Sequence, residues 1–479
     1  MQLSALDATA QAELVATRQV SPRELVDSAI ARIERDNPEL AAVTIPLFEQ
    51  ARAAEPADGP FRGVPILIKD IVATVAGVPQ TMGMLPLKRA GWTAPVDSHL
   101  VAALRRAGFV IVGRTTTSEL GIVPSAEPPA WPPARNPYDR TRSTGGSSGG
   151  SACAVAAGMV PIAHANDGGG SIRIPASCCG LFGLKPSRGR VSLAPWYGEN
   201  HGGLVQEHVV ARSVRDSAAV LDVIAGLQPG DPYTAPAPAR PFRDEVGADP
   251  GRLRIAFATR HPHVDADGGG GMIESHPDCI AAVEHAAQLL RSLGHIVEPA
   301  EIPTLADPEW VSRFLTIWVT GTAADLDEVA EMIGRKVTPD EVEPLTWGLA
   351  ELGRLIGAHS YIAAWRWLHA ATRRIAAFFQ TYDLWLTPTV TEPPVPLGTF
   401  ASPPDDPLAG IFRAGDFAPF TAVFNATGQP ACSLPLHRNA AGLPIGVQLA
   451  AAYGREDLLI RIASQLEAAQ PFEHAATRS

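Results

Sequence analysis

The sequence predicts an α/β fold from two observations. Short β-branched apolar runs alternate along the chain with amphipathic helical stretches, the pattern of strands covered by helices. Hydrophobic residues make up 46% of the 479 positions and charged residues 19%, which supplies a sizeable interior and excludes a disordered chain. Read along the chain, the alternation favours a largely parallel sheet.

Two amphipathic helices open the sequence, at 8–18 and 22–36. Ser21, Pro22 and Glu24 form an N-terminal cap for the second, and Asn37-Pro38 is expected to stop it. The short β-branched run at 64–70 reads as a buried strand ending in Lys69-Asp70, followed by a helix at 100–107 and a second buried strand at 109–112. Residues 151–159 have helical composition, and the helix's free amides are expected to point back into the glycine loop before it. A strand at 253–257, a helix at 279–293 and a strand at 295–297 continue the alternation. Proline-rich stretches at 229–250 and 388–407 read as a crossing between layers and a long surface loop near a site. There is no internal repeat.

Charge and composition narrow the classes of function. The net charge is −11 and no basic run interleaves with aromatics, so nucleic acid is an unsuited partner. Residues 1–20 lack a basic start with an unbroken apolar run, and the longest apolar stretch, 152–163, is too short for a bilayer and contains Gly158 and Pro161. The five cysteines are odd in number and form no C-x-x-C pair, which reads as reduced structural thiols. A soluble cytoplasmic protein without membrane contact is expected.

Three features carry chemistry. Lys69 is one of four lysines and ends an apolar strand, where an ammonium must be paired or neutral. It reads either as a base with a depressed pKa or as an ion pair with a carboxylate such as Asp70. Gly145-Gly146-Ser147-Ser148-Gly149 matches the G-x-S-x-G nucleophile elbow, but residues 135–140 upstream read as turn where an elbow needs a strand. No lysine follows the glycines in phosphate-loop order. Asp167-Gly168-Gly169-Gly170-Ser171 suits a backbone that aims several N–H groups at one point, an oxyanion hole with Ser171 at its edge.

Lys69, the G-G-S-S-G-G-S run and the D-G-G-G-S-I-R-I-P run resemble the amidase signature family. Cys179-Gly180-Leu181, Gly183-Leu184-Lys185-Pro186, Asn425-Ala426-Thr427-Gly428-Gln429-Pro430 and Gly442-Leu443-Pro444-Ile445-Gly446-Val447-Gln448 agree, so the resemblance covers nearly the whole chain. It implies a mixed central β-sheet surrounded by helices, with 1–479 as a single amidase domain. Within it, 60–225 is the catalytic core and 226–400 a helical, substrate-pocket insertion. The resemblance makes Ser171 the nucleophile, Ser147 the bridging serine on a cis peptide and Lys69 the base, with the two serines 24 positions apart as in the family. The amides of Gly168, Gly169, Gly170 and Ser171 match the oxyanion hole, and Asp167 and Arg173 the pair that braces its turn. Many members carry threonine before the aspartate and a non-glycine after it, where this chain has Asn166 and Gly168, so the hole is expected to be intact but more flexible.

The implied activity is hydrolysis of a small-molecule carboxylic amide, linear or cyclic, without metal or cofactor, in a monomer or a homodimer. Words at 7–15, 45–49 and 450–459 resemble a branch that opens a cyclic amide. Residues 313–320 are expected to contribute to the acyl pocket, with Trp318 either a pocket wall or a core tryptophan. An amidotransferase-type subunit active only with partners and a transacylase are the alternatives. The run 263–268 with Glu274 nearly fits a calcium loop, but His263 replaces the first carboxylate and helices do not flank it.

Overall fold

A computed structural model describes residues 3–264 and 270–475. Fifteen strands follow in chain order: β1 Val43–Pro46, β2 Pro65–Lys69, β3 Val110–Thr115, β4 Arg135–Asn136, β5 Asp139–Ser143, β6 Ile162–Asp167, β7 Phe182–Lys185, β8 Gln206–Ala211, β9 Arg254–Phe257, β10 Arg260–Val264, β11 Gly270–Glu274, β12 Ile296–Pro299, β13 Leu384–Pro388, β14 Ala431–Arg438 and β15 Pro444–Ala451. Eleven of them form one sheet in the order β1-β3-β2-β6-β8-β7-β14-β15-β13-β9-β12, while β4–β5 and β10–β11 form separate hairpins. The residues of the calcium-like run at 265–269 lie outside the described set.

The sheet is mixed. β2 runs parallel to β3 and β6, and β9 parallel to β12 and β13, whereas β1–β3, β6–β8, β7–β8, β7–β14, β14–β15 and β13–β15 are antiparallel. The largely parallel sheet expected from alternation is therefore corrected. Pairs such as β7–β14 join segments far apart in sequence, and order along the chain carries no information about their direction.

β2, β3 and β6 are buried at every position, as strands covered on both faces must be. Their cores separate into clusters on the two faces. Ile66 and Ile68 pack with Leu104, Leu221 and Leu459, while Leu67 packs with Val26, Val155 and Ala163. The helices Pro22–Leu40, Gly149–Ala156, Val214–Ile224 and Glu456–Ala469 bury their apolar stripes there. A further cluster joins Glu309–Ile333, Pro344–Leu355 and Ala358–Phe378, and includes Trp318, Leu349 and Leu368.

Four local expectations are corrected. The helix Pro22–Leu40 continues through Pro38 and ends at Ala41, whose N–H donates to Asn37 O at 2.8 Å, while the Asn37 side chain ties down Val43. The helix expected at 151–159 is Gly149–Ala156, and the Gly150 amide donates to Thr116 O at 3.1 Å instead of pointing into the glycine loop. Residues 135–140, expected as turn, contribute to the β4–β5 hairpin, so a strand does precede Ser147, although one outside the central sheet. The 388–407 stretch divides: 388–395 runs inside, with Val390 and Val395 buried and Val395 O accepting the Ser143 N–H at 2.8 Å, whereas 396–407 lies at the surface as expected, apart from the buried Phe400.

Candidate active site

The parallel pairing of β2 with β6 brings the C-terminal ends of both strands to the same edge of the sheet, where crevices form in sheets of this kind. Leu67 is in register with Ala163, so Lys69 arrives beside the last residues of β6. Side chains alternate along a strand, and Lys69 and Asp70 accordingly part company. Asp70 is held by Arg114 Nε at 2.9 Å, both fully buried, which removes it as the partner of Lys69. The Lys69 Nζ instead lies 2.7 Å from Ser147 Oγ and 2.6 Å from Asn166 Oδ1.

This amine is fully buried with no carboxylate in hydrogen-bond contact. Burial pushes its pKa down from 10.5 to about 7, and the charges of Glu207 and Asp167 oppose only part of that fall. A lysine in this state has a neutral fraction near pH 7 and can take a proton from a hydroxyl.

Ser147 sits in the loop between β5 and the helix Gly149–Ala156, and its peptide bond with Gly146 is cis. Gly146 is required by space: a Cβ there would fall 2.0 Å from Ser125 O. Ser171 follows β6 through the glycine loop and precedes the helix Arg173–Cys179. Among the described residues the Ser171 hydroxyl makes no hydrogen bond to protein, and the N–H groups of Gly168, Gly169, Gly170 and Ser171 donate to no protein acceptor. Four consecutive free amides beside a free hydroxyl form a surface suited to an anionic oxygen.

The loop is braced from beneath. Asp167 and Arg173 are fully buried and bond through two oxygens, at 2.9 and 2.8 Å, and Asp167 also accepts the Ile172 N–H at 3.1 Å. Burial alone would raise the Asp167 pKa, but the Arg173 guanidinium overrides it and holds the carboxyl down at about 2. Arg173 also reaches Gln448 Oε1 at 2.8 Å and Asn425 Oδ1 at 2.6 Å, and Thr421 Oγ1 donates to Gly169 O at 2.6 Å. Gly170 has φ +142°, and a Cβ there would lie 2.5 Å from Ile174 Cδ1 and 2.6 Å from Thr421 Oγ1. At Gly169 a Cβ meets only the Trp318 ring, at 3.7 Å.

Ser147, Ser171, Asn166 and Gly168 line a cavity that opens to solvent. Trp318, on the helix Glu309–Ile333, forms a wall over Gly168 and Gly169, stacked by Phe314 at 5.7 Å between ring centroids. The rest of the lining is mostly apolar, through Ile71, Met82, Leu120 and Val329, with Asp325 and Glu328 as carboxylates and Tyr197, Asn200 and His201 as further polar groups. Glu328 accepts from the Tyr197 hydroxyl at 2.6 Å, and Asp325 lies 3.1 Å from His201 Nδ1; among the described residues no lysine or arginine lines the cavity. Among the described residues no three His, Cys, Asp or Glu side chains converge to hold a metal ion, and no helix is long and apolar enough to cross a membrane.

Sequence reading missed Asn166 as a contact of Lys69, together with Glu207 and the acidic wall. Asn166 carried a signal, since His164 and Asn166 are polar residues at alternate positions of a strand whose positions before Asp167 are otherwise apolar. Glu207, Asp325 and Glu328 carried none, because their relation to the site is made only by strand pairing and helix docking.

The amidase family model matches residues 24–460. The chain is 41% identical over 475 residues to the 6-aminohexanoate-cyclic-dimer hydrolase of Pseudomonas sp. (strain NK87), covering 97% of this chain and 95% of that one. A solved structure of 6-aminohexanoate cyclic dimer hydrolase complexed with substrate superposes with a TM-score of 0.94 at 40% identity, covering 100% of this chain and 99% of the other. A bacterial aryl acylamidase of the amidase signature family superposes with a TM-score of 0.86 at 26% identity, covering 97% and 96%.

Removing one partner of a buried pair strands the other's charge, so Arg173→Ala is expected to lower unfolding free energy by about 3–5 kcal/mol in urea titrations. Because the Asp167 pKa is depressed, its share of stability is complete above about pH 4 and fades as pH falls toward 2, which acid unfolding followed by circular dichroism will register. Gly170→Ala should abolish activity through the clash with Ile174 and Thr421, whereas Gly169→Ala should fold with wild-type thermal stability; equal effects at both positions would contradict the geometry.

Proposed function

The chain belongs to the amidase family, and from that premise we propose that it hydrolyses a carboxylic amide through an acyl-enzyme on Ser171. The observation that carries the residue assignment is the buried Lys69 amine, 2.7 Å from the Oγ of Ser147, which lines one cavity together with Ser171.

The neutral amine accepts the Ser147 proton while Ser147 accepts that of Ser171, and the Ser171 oxygen bonds to the amide carbon. The carbonyl oxygen takes the negative charge within reach of the amides of Gly168, Gly169, Gly170 and Ser171. Collapse breaks the C–N bond, with the proton returned from Lys69 through Ser147 to the leaving nitrogen, and water then discharges the ester by the same relay. Asp167 and Arg173 act beneath this chemistry by fixing the loop.

The cavity lining bears on the substrate. An apolar and aromatic wall with two carboxylates and no lysine or arginine suits a neutral or cationic amide and disfavours one that carries a carboxylate. A cyclic amide such as 6-aminohexanoate cyclic dimer is neutral, and it is the substrate in the name of the Pseudomonas relative. We place the protein in the cytoplasm, where the five free, buried cysteines stay reduced.

A fluorophosphonate probe should label Ser171, and Ser171→Ala should abolish both labelling and turnover; labelling at Ser147 would overturn the assignment. The rate of acylation should rise with pH through about 7, since below that value the Lys69 amine is protonated and cannot accept a proton. Across a matched set of amides, kcat/KM should fall about tenfold or more when a carboxylate replaces a neutral group in the part that meets Asp325 and Glu328. Equal rates would dismiss the electrostatic reading of the pocket.

A further inference from the structure

The groups behind Lys69 form a closed circuit that the reaction scheme above does not use. The Lys69 backbone N–H donates to His164 Nδ1 at 3.2 Å, which leaves the ring proton on Nε2, facing Glu207 Oε2 in a short contact. The other Glu207 oxygen accepts from Asn166 Nδ2 at 3.1 Å. That bond turns the Asn166 carbonyl toward Lys69 Nζ, at 2.6 Å, and closes the ring on the residue where it began. His164, Asn166 and Glu207 are all buried.

Strand pairing builds this arrangement. β6 and β8 are antiparallel with Asn166 opposite Glu207, and His164, two residues earlier on β6, points to the same face. Glu207 has no arginine or lysine partner among the described residues; its neighbours are a histidine and an amide. The other carboxylates near Lys69 on its own sheet are paired, Asp70 with Arg114 and Asp167 with Arg173. His208 on β8 is held neutral, burial having pushed it down to about 3, and Asp325 and Glu328 stand on the wall of the cavity.

A neutral lysine amine has two N–H donors and one lone pair. It works as a base toward Ser147 only when the lone pair, not an N–H, faces that hydroxyl. An acceptor fixed at Asn166 Oδ1 engages one N–H and limits rotation about the Cε–Nζ bond. We propose that Asn166, held by the Glu207 carboxylate that His164 fixes from its other side, is a positioning residue that aims the Lys69 lone pair at Ser147 and couples the amine to Glu207. The proposal rests on Lys69 being the base. The positive contribution of Glu207 to the Lys69 pKa agrees with it.

The test is the pH dependence of fluorophosphonate labelling at Ser171 and of kcat/KM in five proteins. In the wild type the acid limb is set by Lys69. In Glu207→Gln the limb should move down by about one pH unit, and in Asn166→Asp, which puts a carboxylate directly on the amine, up by a similar amount. Asn166→Ala should lose about tenfold or more in kcat with KM within about twofold, because only the proton transfer is misaimed. A structural role alone would lower activity in all three without moving the limb in opposite directions. Should Glu207→Gln fail to fold, the direction in Asn166→Asp decides. An unmoved limb, or two shifts of the same sign, overturns the proposal while leaving Lys69 as base. If Lys69→Ala keeps the wild-type limb, the base assignment falls, and the proposal falls with it.

Discussion

The structure around the reacting groups is organised by one constraint, a lysine amine placed where water and contacting carboxylates are both withheld. Lys69 is fully buried at the end of β2, and the adjacent carboxylate, Asp70, is committed to Arg114 on the other side of the strand. What the amine meets are neutral oxygens, Ser147 Oγ and Asn166 Oδ1. An ammonium loses most of its solvation there, and the balance tips toward the amine. A direct ion pair would have stabilised the charge and removed the base.

The opposite solution is used a few residues away. Asp167 is equally buried, but its carboxylate stays charged because Arg173 meets it through two bonds and Asn425 adds a third at 2.9 Å. The chemistry of the two positions follows from that difference. The Asp167 charge is paired and serves as a fixed point for the Gly168–Gly169–Gly170 loop; the Lys69 amine is left with neutral partners. Both sit at the ends of neighbouring parallel strands, β2 and β6, so the sheet holds the Lys69 amine and the glycine loop in register.

The remaining anchors come from the far end of the chain. Thr421, Asn425 and Gln448 all reach the loop or its arginine, which ties β15 and the segment before β14 to the geometry of residues 167–173. The helix Glu309–Ile333 closes the other side with Trp318, Asp325 and Glu328. Lys69, Ser147, Ser171 and the Asp167–Arg173 pair thus lie in the first part of the sequence, while the anchors of that pair and the Trp318 side of the pocket come from the second.

Much was legible without coordinates because it depends on local chemistry. Glycines at 145–146 and 168–170 mark backbone in close approach, a lysine ending an apolar run is conspicuous by its burial cost, and the short apolar runs at 64–70 and 109–112 fall on β2 and β3. What sequence alone misjudged was non-local: the direction of strands joined far apart in the chain, the β4–β5 hairpin ahead of Ser147, and the interior path of residues 388–395. The reason is physical. A residue's backbone preference and burial cost are its own properties, readable one position at a time. Whether Lys69 faces Asp70 or Asn166, and whether Glu207 stands behind that asparagine, is decided by which strands pair and in what register, and those contacts exist only once the chain has folded.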